Sequence, residues 1–359
     1  MKKLLIIATA LAACLASCTS VKQERPASEI SFQVARHCAV TKAGPADYKD
    51  AYGQVPFGTY SWYKALNEED NTVYFTNRKV SYDEPNNRWI TEGKTYYWPY
   101  TGLLDFISYS PYTADGADAP APIITETGIN YSTPWNVDAH QSVDVMYADK
   151  AIGQSRNLDT FGHGYQGVPT LFRHALARVA FLLKASTLSR VSPTGEVTRW
   201  EIDVKTLQLN NIFTTGTLSL TLAEDGSWTK PVTNAWTPTD ATINRQIDLG
   251  GVHTLTEESQ SAGSIFVLPQ TLVDQDLTLV VDIRTYRDSG EGEKLIITES
   301  DVVCHASLTT ETFDTWGINQ YITYIITVSP VSEIDTDFIL FDPAVAGWDE
   351  KVVETAILL

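Results

Sequence analysis

Along most of the chain, hydrophobic residues recur at every second position rather than at helical spacing. Ile30, Phe32 and Val34 alternate with Ser31 and Gln33. Leu218, Leu220 and Leu222 alternate with Ser219 and Thr221 ahead of the turn Glu224-Asp225-Gly226. Leu277, Leu279, Val281 and Ile283 repeat the pattern, and Tyr321 to Val328 is β-branched and aromatic throughout. Side chains alternate between the two faces of a strand, so this period marks half-buried strands. Turn formers punctuate the strands at Pro85-Asn86-Asn87, Ser289-Gly290 and Gly347. No segment recurs at a fixed period. The pattern predicts an all-β protein of antiparallel sandwich domains.

One stretch is ambiguous. Pro169 to Lys184 is rich in helix formers, yet Ala177, Val179, Phe181 and Leu183 also alternate with their neighbours. The alternation predicts a strand from about Ala177, because strand formation follows tertiary context more than propensity. A Ser-, Pro- and Gly-containing stretch, Ser186 to Thr198, follows it. It divides the chain into an N-terminal sandwich over 29–187 and a C-terminal one over 196–359. With 359 residues, two domains are also what the length implies.

The N-terminus carries an address. Lys2 and Lys3 precede the apolar run Leu4 to Leu15, which is too short to span a bilayer comfortably. The run ends Leu15-Ala16-Ser17-Cys18, the pattern of a bacterial lipoprotein signal, which predicts a signal peptide over 1–17 and acylation of Cys18. Leu11-Ala12-Ala13-Cys14 fits the same pattern, but a cut there leaves an apolar core of only about eight residues. Residues 18–28 are polar, interrupted by Pro26, and read as a tether.

Composition narrows the function. The net charge of −18 falls to −20 when the signal peptide takes away two lysines and no acid. Such a chain repels nucleic acid, and no basic patch offsets that. The 17 Tyr, 12 Phe and 9 Trp against 2 Met suit a core built from strands.

No catalytic set emerges, so the expectation is a non-enzyme without cofactor or metal. Ser61-Trp62-Tyr63-Lys64 has the spacing of a Ser-x-x-Lys pair, but on a strand Ser61 and Lys64 face opposite sides. His37-Cys38 and Cys304-His305 are neighbours on strands and do not chelate together easily. Free thiols are the expectation there, with a Cys38–Cys304 disulfide as the alternative. Gly162 to Gly167 is Gly-rich without the strand–helix context of a phosphate loop. Tyr96, Tyr97, Trp98 and Tyr100 are either core or a glycan-facing platform.

Short motifs along the chain resemble the fimbrillin family of Bacteroidia, the lipoprotein precursors of type V pili. They include Glu29-Ile30-Ser31-Phe32, Thr41-Lys42-Ala43, Phe57-Gly58-Thr59-Tyr60, Lys94 to Pro99, Leu104 to Pro111, Val145 to Ala148, Phe172 to Val179, Val267 to Gln270, Gly317 to Tyr321 and Ile339 to Trp348. The resemblance implies two transthyretin-like β-sandwich domains and an outer-membrane lipoprotein precursor. It further implies that a trypsin-like protease removes the first strand, here with Ile30, Phe32 and Val34, by cutting between Lys42 and Ala43. The family more often has arginine at the cut, and Arg36 is the fallback. A strand from another pilin subunit then fills the gap. The donor would be the C-terminal segment with Val353, Thr355, Ile357 and Leu359. Other implied partners are the outer membrane and a host glycan or protein receptor. The implied alternatives are a tip or accessory adhesin of the same family, or a monomeric glycan-binding surface lipoprotein.

Overall fold

The computed structural model describes residues 29–36, 54–114, 117–156, 167–221, 235–251, 254–310, 312–330 and 349–358, with 33–36 and 349–358 described through their backbone only. The first half holds β1 (Ser31–Arg36), β2 (Phe57–Lys64), β3 (Asn71–Asp83), β4 (Arg88–Thr91), β5 (Leu103–Ser110), β6 (Ile123–Thr125), β7 (Gly128–Asn136), β8 (Met146–Ala148), β9 (Ala151–Gln154) and β10 (Val168–His174). Next come β11 (Ala177–Ala185), β12 (Ser189–Val191), β13 (Val197–Ile212), β14 (Thr215–Thr221), β15 (Trp236–Pro238) and β16 (Ile243–Ile247). The chain continues through β17 (Gln260–Val267), β18 (Gln270–Thr271), β19 (Asp276–Asp288), β20 (Lys294–Ser307), β21 (Thr315–Trp316), β22 (Gln320–Ser329) and β23 (Asp349–Leu358). One 3₁₀ turn, Glu84–Asn86, joins β3 to β4. The all-β expectation holds, and the ambiguous stretch is strand on both sides of Ala175–Leu176.

The N-terminal sheet goes further than a sandwich sheet. Its strands run β2-β3-β4-β1-β10-β8-β5, and β5 pairs again with β2, from Gly58↔Tyr109 to Lys64↔Leu103. The sheet therefore closes into a ring, with β9 attached to β5. Closure removes free edges that would otherwise carry unpaired backbone groups. One contact needs glycine: a Cβ on Gly58 would sit 2.1 Å from the ring of Tyr109. The Tyr109 hydroxyl donates to Asn77 Oδ1 at 2.7 Å. Inside the ring lies an aromatic core that includes Phe32, Phe57, Phe75, Trp89, Trp98, Phe106 and Phe172.

A second core lies between the outside of this barrel and the sheet β15-β14-β7-β6. Trp62, Ile107, Tyr109 and Tyr147 from the barrel meet Ile129, Tyr131, Trp135, Leu218 and Trp236. The third core fills a sandwich between the sheet β17-β11-β22-β23 and the sheet β12-β13-β19-β20, in which β16 also pairs with β13. Most pairings are antiparallel, but β1–β10, β11–β22 and β22–β23 are parallel.

The chain crosses from barrel to sandwich at Ala175–Leu176, ahead of the stretch 188–195 where the sequence pattern divides it. Strand β11 pairs with β17 and β22, and β7 pairs with β14. Hydrogen bonds from both halves of the chain hold the crossing. Trp236 Nε1 donates to Ala175 O at 2.7 Å, and Asn319 N donates to Leu176 O at 3.2 Å. The buried His174 Nδ1 lies 2.7 Å from Asp144 Oδ2.

Candidate assembly groove

Strand β1 is a full stave of the barrel. It runs parallel to β10, from Phe32↔Val168 to Arg36↔Phe172, and antiparallel to β4 through Ser31↔Ile90 and Phe32↔Trp89. Its entry is clamped. Ile30 N donates to Tyr96 O at 2.8 Å, Glu29 bridges Tyr97, and the Glu29 carboxylate meets Arg88 Nη2 at 2.8 Å. Arg88 also reaches Asp83 at 3.3 Å. Hydrogen bonding from Asn86, and then Arg88, holds the Asp83 carboxyl below its usual range.

The described inward side chains at the start of this strand, Ile30 just before it and Phe32 within it, are buried. Ile30 is 0% exposed and Phe32 2%. The Phe32 ring packs edge-on against Phe57 at 5.7 Å and Phe106 at 5.8 Å. Phe57 in turn touches Phe172 at 5.3 Å and Trp89 at 5.6 Å. Burying Ile30 and Phe32 contributes roughly 3–6 kcal/mol together, an upper figure because unfolded chains already bury some area. Taking β1 away would leave an aromatic-lined slot between β4 and β10, with unpaired backbone groups on both walls. The aromatic walls were not singled out from sequence. The signal lay in the order of the aromatics, but only ring closure brings Trp89, Phe106 and Phe172 around Phe32.

Val34 lies in β1 opposite Thr170, and Arg36 ends the strand. Cys14, Cys18, Cys38, Lys42, Ala43 and Leu359 lie outside the described residues, as does nearly all of the Gly162 to Gly167 loop. Strand β23 lies parallel to β22 over ten residue pairs, at the edge of its sheet. The register sets positions Val353, Thr355 and Ile357 against Tyr324, Ile326 and Val328, all of which are buried.

The other candidates separate by exposure. Ser61 is buried in β2, while Lys64, at the end of the same strand, is exposed. Cys304 is a free buried thiol whose pKa burial pushes up. Its neighbour His305 is exposed and leans on Asp276 and Thr278 at 3.3 Å each. No cluster of three or more His, Cys, Asp or Glu suited to a metal occurs among the described residues. Of the aromatic run, Tyr96 and Trp98 are core, while Tyr97 and Tyr100 are 46% and 79% exposed.

The sequence profile described as Fimbrillin-like matches residues 49–348. The chain belongs to the fimbrillin-like family. The matched span begins after β1 and stops before β23, so the body of the fold carries the membership. Similarity to solved structures is at low identity and at TM-scores below 0.5. A candidate cell adhesion protein from Bacteroides uniformis has 18% identity and a TM-score of 0.47, with 84% of this chain and 93% of that one covered. Another, from Bacteroides eggerthii, has 9% identity and a TM-score of 0.44, with coverage of 92% and 99%. A fimbrial protein from Bacteroides ovatus has 11% identity and a TM-score of 0.32, covering 92% of this chain and 51% of that one. Comparison with curated proteins gives no match.

Proposed function

We propose that this fimbrillin-like chain is the lipidated precursor of a surface pilus subunit, non-enzymatic, serving cell adhesion. Cys18 carries the lipid that holds it at the outer membrane. A trypsin-like protease cuts after Lys42, or after Arg36, and releases β1. The slot between β4 and β10 then receives an extended strand from another pilin subunit, and the assembled fibre meets a host glycan or protein receptor. One observation carries the reading. The first strand is a central stave, buried through Ile30 and Phe32 and held between β4 and β10 by backbone pairing, with the Glu29–Arg88 ion pair at its entry. Its loss opens a slot that another strand can restore both in backbone pairing and in apolar filling. The donor in this reading is the segment with Val353, Thr355, Ile357 and Leu359.

A second reading, a tip or accessory adhesin, has its own support. Over Asp349–Leu358 the C-terminal strand is seated on β22 rather than held out for a neighbour. Limited trypsin digestion of the unacylated mature chain separates the two. A single cut after Lys42 or Arg36 followed by a ladder of SDS-resistant oligomers supports the stalk role. A clean cut that yields only monomer supports the tip role. Retention of β1 under conditions that cleave exposed basic sites elsewhere refutes strand release.

A further inference from the structure

We infer that the outer edge of β20 is a pairing surface for a second copy of this chain, joined antiparallel to its own counterpart. Strand β20 ends the sheet β12-β13-β19-β20, and β19 is its only strand partner among the described residues. Its first eight residues, Lys294–Asp301, are all exposed. Three consecutive branched aliphatics lie there: Leu295 at 53% exposed, Ile296 at 54% and Ile297 at 47%.

The hairpin continues past the sandwich core. Ile283 is the last buried residue of β19, and the positions beyond it are only partly covered or exposed. The register skips a residue here, with Tyr286↔Leu295 and Thr285↔Ile297. Successive residues of β19 point to opposite faces, so Leu295 and Ile297 do as well. Apolar side chains therefore flank an open row of backbone donors and acceptors on both faces, the arrangement that invites another strand. A bulge and a lysine are also devices that keep an edge apart. Neither explains why three aliphatics in a row stand in water here.

Charge selects the partner and its direction. The aliphatic run has Lys294 at one end and Glu299 at the other, while Asp301 beyond it is already paired with Lys205 at 2.8 Å. Antiparallel pairing of two copies brings each Lys294 toward Glu299 of the other, whereas parallel pairing sets lysine against lysine. Cations near this edge are already committed: Arg199 to Glu293 at 2.6 Å, Lys205 to Asp301 at 2.8 Å, and Arg284 to Glu201 at 2.5 Å and Asp203 at 2.7 Å. Among the described residues, Lys294 itself makes an exposed 3.3 Å contact with Glu291, a pair of little energetic weight. The edge lies in the sandwich, away from the barrel slot, so this contact is independent of strand release.

Sedimentation velocity on the uncut chain from Thr19 onward, which keeps every described residue, tests this. The expected result is a concentration-dependent monomer–dimer shift. Ile296→Lys places a charge on an exposed position and leaves folding intact, checked by an unchanged melting temperature. It should weaken association by at least about tenfold, Lys294→Glu by about tenfold, and Lys294→Glu with Glu299→Lys should restore it to within about threefold. A chain that stays monomeric up to about 1 mM overturns the inference. So does a dimer that Ile296→Lys leaves unchanged, or one that the charge swap does not rescue.

Discussion

Truncating Phe32 to alanine tests whether β1 is a structural stave. The side chain is 2% exposed and contacts the rings of Phe57 and Phe106 edge-on at 5.7 and 5.8 Å. A buried Phe→Ala change costs roughly 3–5 kcal/mol, because transfer energy is lost and a cavity remains. Edge-on aromatic pairs account for about 0.5–1.5 kcal/mol of such a loss. The ring sits among other rings fixed by barrel closure, so the site has little means to collapse. We expect a loss of about 4 kcal/mol, near a thousandfold in the equilibrium for opening the barrel. Urea unfolding followed by tryptophan fluorescence reads it, since Trp89 and Trp98 both line this core. Val73→Ala, 63% exposed on β3 of the same barrel, serves as the control and should change stability by less than about 0.5 kcal/mol. A multi-core chain need not unfold in one step, so the comparison is made on the transition that carries the barrel signal. A loss below about 1 kcal/mol for Phe32→Ala would refute the reasoning, because a stave in this position cannot be that cheap to hollow out.

Other expectations follow from single contacts. Gly58→Ala drives a Cβ into the Tyr109 ring, and either the ring or β2 must move; a loss of roughly 1–3 kcal/mol should appear in the same urea assay. Trp236→Phe removes the donor to Ala175 O at the barrel–sandwich crossing and should cost about 1–3 kcal/mol, because a buried carbonyl is left unpaired. In the sandwich, a hydrogen bond from the Asp301 amide, then Lys205, holds Asp282 low, and Arg199 does the same for Glu293. A depressed folded pKa stabilises above the unfolded value, near pH 4, and that share is lost as pH falls through the lower folded value. The melting temperature should therefore drop on acidification below about pH 4, and Lys205→Met should flatten that drop. Cys304, buried and with a raised pKa, should resist iodoacetamide in the native chain and react once urea unfolds the sandwich, as peptide mass mapping would read.

The strands were legible from the chain because alternation is a local property. Ala177 to Ala185 shows this best: its helix propensity was good, its period was two, and the period prevailed because β17 and β22 were there to pair with it. The opposite placement of Cys304 and His305 also followed from neighbours on a strand. The first strand as an apolar alternation was likewise visible in Ile30, Phe32 and Val34.

Partner choice was not visible. Alternation says which face is buried but not which strand lies alongside, and pairing between distant segments depends on loop closure and on the fit of whole faces. The parallel pairing of β1 with β10, the return of β5 to β2 that closes the barrel, and the joining of β7 to β14 all span long separations. The aromatic slot exists only because of the first two. The sequence by itself determined that this chain makes strands and which of their residues alternate toward a core. The tertiary structure decided that the first strand is enclosed on both sides, because ring closure is a property of the whole sheet and of no segment within it.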